Sequence, residues 1–107
     1  MSDFQLIYSK TDSKVEYSGR VRQELQSLAA KSIDRGDGEA FLAAMKEFHR
    51  RLCLYPQFGD PLIDLTYEQG QICIGILRPL SKRYGLYEHR RLVLVVDSPV
   101  LLPMSVE

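Results

Sequence analysis

The feature that most restricts this chain is a change of hydrophobic period at Pro56. Before it, apolar residues recur every three or four positions; after it, they alternate every second position. A strand cannot turn the first pattern into one face, nor a helix the second, so the chain must form helices followed by a sheet. Tyr17, Val21, Leu25, Leu28, Ala29 and Ser32 define the inner face of one helix, with Arg20, Arg22, Gln23 and Gln26 opposite. Gly36 is placed to cap its C-terminus. Asp37 is placed to cap a second helix, whose first turn carries Glu39. In that helix Phe41, Met45, Phe48, Leu52 and Tyr55 fall on a heptad-like seam, which predicts antiparallel packing against the first. Pro56 forbids its continuation.

The turn formers from Pro56 to Pro61 lead into strands. Leu62 to Thr66 is a short one. Gln71 to Leu77 alternates Ile72, Ile74 and Ile76 with Cys73, Gly75 and Leu77, where Gly75 marks either a bulge or a close backbone approach. Arg83 to Glu88 and Leu92 to Val96 flank a polar turn at His89 to Arg91, and the unbroken apolar content of the latter predicts a strand covered on both faces. Phe4 to Tyr8 predicts a strand at the N-terminus. With 107 residues the chain suffices for one domain, residues 1–107. The expected fold class is α+β: an N-terminal strand and an antiparallel helical hairpin packed on one face of a small, mostly antiparallel sheet.

Function is read from where the charge lies. The net charge is zero, which argues against a whole-molecule polyanion binder. Residues 1–68 hold 9 basic and 11 acidic side chains, whereas residues 69–96 hold 5 and 1. The basic island is Arg78, Lys82, Arg83, Arg90 and Arg91, and the sheet's free face is its expected position, which makes it the candidate binding patch. Arg83 and Tyr87 share strand parity and could flank one phosphate, with His89 in the next turn as proton carrier; these three are the candidate catalytic residues. The bland alternative makes Arg83 and Arg91 solvated edge charges, turns Tyr84 and Leu86 toward the helices, and leaves His89 a turn residue. His49 is expected on the solvated side of the second helix. Cys53 and Cys73 lack metal-ligand spacing and read as buried thiols; no metal or other cofactor is implied. No apolar run approaches the roughly 20 residues of a membrane span, and no basic patch followed by an apolar run opens the chain. The expected compartment is the cytoplasm, without membrane association.

The order of elements, the segment Leu54-Tyr55-Pro56-Gln57-Phe58-Gly59-Asp60-Pro61-Leu62, and the pair Arg83-Tyr84-Gly85-Leu86-Tyr87-Glu88 and Leu92-Val93-Leu94-Val95-Val96 together resemble the RelE/ParE toxin superfamily over nearly the whole chain. The resemblance implies an antitoxin protein as partner and, in the nuclease branch, messenger RNA cleaved on the ribosome. Arg83 falls where the family strand opens with a phosphate-directed arginine, and Arg78 and Lys82 would assist it. The family nucleases also carry basic side chains on the preceding strand, where this chain has Cys73, Gly75 and Leu77. They carry a further basic or aromatic group after the last strand, where residues 97–104 have no histidine, tyrosine, lysine or arginine. Loss of one proton-transfer partner costs on the order of 10²- to 10⁴-fold in rate. The reading that follows is a toxin-like module that binds a partner protein or RNA without cutting it, with a rearranged ribosome-dependent endoribonuclease as the alternative. The segment Pro99 to Met104 is too apolar to stand in water, so it should cover the domain's own sheet or dock on a second copy as a homodimer.

Overall fold

The computed structural model describes residues 12–104. Strand β1 (Lys14–Tyr17) precedes two helices, α1 (Gly19–Asp34) and α2 (Gly38–Leu54). A 3-10 turn at Pro56–Phe58 then leads to β2 (Asp60–Leu65), β3 (Gly70–Leu77), β4 (Leu80–Tyr87), β5 (Leu92–Val95) and β6 (Val100–Leu101). The sheet order is β1-β5-β4-β3-β2, with β1 parallel to β5 and the remaining pairs antiparallel; β6 pairs with the start of β4. The protein is thus α+β, with both helices packed on one face of a mixed, mostly antiparallel sheet.

The helices begin and end where the local chemistry requires. Ser18 has extended dihedrals, and its Oγ accepts the Val21 N–H at 3.1 Å, which caps α1. Removing that acceptor with Ser18→Ala is expected to cost about 1 kcal/mol, measured by urea denaturation. At the other end Gly36 sits at φ 84°, donates to the Ile33 carbonyl, and is followed by Asp37 donating to Ser32, the paired bonds of a Schellman ending. Asp37 precedes α2 but caps nothing with its side chain, because its carboxylate accepts from the Arg35 guanidinium at 2.9 Å instead.

One apolar cluster holds these layers together. Val21 and Leu25 from α1 and Phe41, Ala44, Phe48 and Leu52 from α2 meet Cys73, Leu80, Tyr84, Leu86, Val93 and Val95 from the sheet. Two residues of the expected helical seams fall elsewhere. Tyr17 continues the α1 spacing backwards yet belongs to β1, and Tyr55 lies past the end of α2, 59% exposed, while Ala44 takes a buried place. Gly75 is a close approach and not a bulge: a Cβ there would lie 2.9 Å from Phe58 and 3.0 Å from Phe48. The register irregularity is in β2, between Pro61 and Ile63.

Two strand expectations change. The strand predicted at Phe4 to Tyr8 lies outside the described residues, among which the first strand is Lys14–Tyr17. Strand β4 starts at Leu80, three residues before the expected Arg83. Strand β5 buries Val93 and Val95 but leaves Leu92 and Leu94 only half-buried on the face away from the helices. The apolar tail lies on its own sheet: Leu101 pairs with Leu80, the Leu102 N–H donates to Pro79 O at 2.6 Å, and Arg78 donates to Pro103 O at 2.7 Å. Among the described residues, no helix is long and apolar enough to cross a membrane.

Candidate functional site

Strand periodicity sends neighbours in β4 to opposite sides of the sheet. Leu80, Lys82, Tyr84 and Leu86 turn toward the helices, and Arg83 and Tyr87 turn away. The basic island therefore does not form one ridge. Lys82 is 2% exposed on the helix side. Arg83 lies on the free face, where Asp97 stands 3.9 Å from it. Arg78 is tied to the tail carbonyl of Pro103, and Arg90 lies over the Tyr87 ring at 5.6 Å. Arg91 occupies a left-handed turn position at φ 51°.

The three candidate catalytic residues are likewise separated. Arg83 lines a recess with Ile74, Ser81, Asp97, Ser98 and Val100. His89 lines a different cleft with Asp64, Gln71, Leu86 and Glu88, and the two clefts share no residue. Tyr87 packs its ring against Gly70 and Gly85 and donates its hydroxyl to Glu68 Oε1 at 3.2 Å. Burial and that carboxylate raise its pKa, so it is a poor proton donor and a worse base at neutral pH. Tyr84 and Leu86 are core residues, as the bland alternative expected.

A further recess combines residues from segments far apart in the sequence. A cleft of about 440 Å³ opens between β1 and the two helices, lined by Tyr17, Arg22, Leu25, Leu42, Met45, Lys46, His49 and Lys82. Lys82 lies at its floor, with Nζ 4.9 Å from the ring centroids of both Tyr17 and Phe48. Among the described residues its ammonium has no hydrogen bond and no ion pair. Burial pushes its pKa down to about 8.

His49 is exposed, as expected, and also forms one wall of this cleft. Its ring stacks on Tyr17 with centroids 6.0 Å apart, and its Nδ1 lies 3.0 Å from the Tyr17 hydroxyl. Burial, with Lys82 adding repulsion, lowers the histidine pKa, while burial and Cys53 push Tyr17 up to about 12. A neutral ring protonated on Nε2 satisfies both contacts: it accepts from Tyr17 and meets Cys53 Sγ at 3.6 Å. Burial and Asp12 raise the Cys53 thiol, so this pair is a thiol beside a neutral imidazole and not an activated nucleophile. Cys53 is half-buried and Cys73 buried, both as free thiols.

The sheet face away from the helices carries Ile63, Ile72, Ile74 and Ile76 with Arg83 and Val100, as their pairing registers require. Ile63, Ile76 and Val100 are each more than half exposed, at 53%, 52% and 52%. The outer edge of β2 is guarded by Asp60, Pro61 and Asp64, features that discourage pairing with a further strand. Compared with family models, with curated proteins and with solved structures, this chain matches none.

Proposed function

We propose that this is a non-catalytic, toxin-like module of RelE/ParE type that acts in the cytoplasm by gripping a partner protein with the free face of its sheet. The observation that carries the reading is the half-exposed stripe of Ile63, Ile76 and Val100 around Arg83. Scattered apolar residues are ordinary on a surface, but here the half-buried Ile72 and Ile74 link Ile63 to Ile76 along one sheet face, and such an apolar stripe is the mark of an interaction site. The partner's chemistry follows from the charge. Arg83 is exposed and, among the described residues, has only a long, solvated ion pair with Asp97, which contributes little, so an acidic residue set among apolar ones on the partner would complete the contact. An antitoxin protein is the partner that the family resemblance supplies. Guarding of the β2 edge favours packing on the face over addition of a strand.

The nuclease alternative is weaker because Arg83, Tyr87 and His89 do not surround a common point, and RNA contact is weaker because Lys82 is withdrawn from the surface. The test is co-production with the product of the reading frame adjoining its own. A stable complex is expected, and the double variant Ile76→Glu/Val100→Glu should weaken it by at least about tenfold while leaving the thermal midpoint within a few degrees. An unaffected complex, or none, would refute the reading. So would messenger cleavage on induction that Arg83→Ala abolishes. A dimer held by the exposed Val100 and Met104 of the tail is the competing use of this surface, and sedimentation of the chain alone distinguishes it.

A further inference from the structure

The cleft on the opposite side of the sheet combines three features that seldom occur together. Its floor holds Lys82, 2% exposed as a residue, whose ammonium faces two aromatic rings and, among the described residues, meets no acceptor. Its upper walls carry two further cations, Arg22 and Lys46, and among the described residues none of the lining is acidic. The rest of the lining is apolar, chiefly Leu25, Leu42 and Met45. A buried lysine without a counter-charge is costly, and a cation facing a ring recovers only part of its lost hydration. The volume, about 440 Å³, falls within the range of small-molecule sites.

We infer that this cleft binds a small monocarboxylic acid with an apolar body, its carboxylate paired with Lys82 and its hydrocarbon portion lying between α1 and α2. A carboxylate provides the charge and the acceptors that the described residues do not offer the ammonium. The hydrocarbon portion covers Leu25, Leu42 and Met45, which a purely polar anion would leave wet. Arg22 and Lys46 at the mouth add attraction for an incoming anion. The inference is independent of the free-face reading, since the two surfaces lie on opposite sides of the sheet.

The test is titration of the full chain by calorimetry with sodium octanoate, 1-octanol and octylammonium as probes. Octanoate is expected to bind at least about tenfold more tightly than octanol, the minimum for a charge-assisted hydrogen bond in a desolvated site, and octylammonium not at all. Lys82→Met keeps the length and apolar body of the side chain. It should bring octanoate and octanol to within about twofold of each other, with an unchanged circular dichroism spectrum. Equal binding of octanoate and octanol by the wild-type chain, or unaltered selectivity in Lys82→Met, would overturn the assignment. Two other occupants would overturn it as well: a second copy, shown by a dimer that octanoate dissociates, or the chain's own residues 1–11, shown by octanoate binding only after they are removed.

Discussion

Tyr84→Ala is expected to lower unfolding free energy by about 4–5 kcal/mol, a large fraction of the roughly 5–15 kcal/mol that holds a domain of this size folded. The ring is 1% exposed and stacks on Phe58 at 6.1 Å, which in turn meets Phe48 edge-on at 5.5 Å. Its hydroxyl does a second job. It donates to the Pro56 carbonyl and accepts from the Gly59 N–H at 3.1 Å, fastening the segment between α2 and β2 to the centre of the sheet. Burial pushes its pKa well above the ordinary phenol range, so at neutral pH the hydroxyl keeps the proton it donates. Tyr84→Phe separates the two contributions. It keeps the packing but leaves a buried carbonyl and an N–H without their partner, at a cost of about 2 kcal/mol. Urea denaturation of both variants measures the difference; a phenylalanine variant as stable as wild type would show that the hydroxyl fastens nothing.

Lys82→Met should have the opposite sign. At pH 7 it is expected to stabilise the fold by about 1–2 kcal/mol, because it removes a buried charge that has no counter-ion among the described residues and forfeits the attraction of two rings. The pH dependence supplies the sharper test. With burial holding the folded-state pKa at about 8 against 10.5 in the open chain, the full penalty applies below pH 8, where both states carry the proton. Between pH 8 and 10.5 the folded amine is neutral while the unfolded one is still charged, so the unfolded state binds more protons and stability rises with pH. The rise amounts to about 3 kcal/mol in all. Raised thiols and phenols at Cys53, Cys73, Tyr17 and Tyr84 pull the other way at alkaline pH, but they are common to both proteins. The wild-type chain should therefore gain on Lys82→Met as pH increases across that window, and a constant gap would show that the ammonium is not desolvated.

How far the sequence could be read depended on whether a pattern was local. The two periods and the proline between them dictate helices followed by strands, and the alternation of Ile72, Ile74 and Ile76 with Cys73, Gly75 and Leu77 separates the two faces of β3 without saying which one meets the helices. What failed was a boundary. Starting β4 at Arg83 made Lys82 a turn residue and placed it with its arginine neighbours. The strand begins at Leu80, so Leu80, Lys82, Tyr84 and Leu86 form a single inward row with a cation in it. The signal was present in that alternation, but charge proximity along the chain outweighed it. Tyr17 was misread for a related reason: its spacing to Val21 suits a helix, and only the cap at Ser18 shows that the helix starts later. Asp37 has the right residue type for a cap, but Arg35, two positions earlier, competes for its carboxylate. The cleft itself was not legible, because Tyr17, His49 and Lys82 come from three separated segments that only tertiary packing unites.

Strand β1 is joined to the sheet by parallel pairing with β5, Lys14 opposite Leu92 and Tyr17 opposite Val95. Such distant partners meet late, since the chain between them must lose much of its freedom before any contact repays the loss. Tyr17 rides on that strand, so one wall of the cleft depends on the strand pairing most distant in sequence among the described residues. Any species in which β1 is detached would let water reach Lys82 and return it to the titration of an ordinary lysine. The proton affinity of this one amine thus serves as a gauge of whether the molecule has finished assembling.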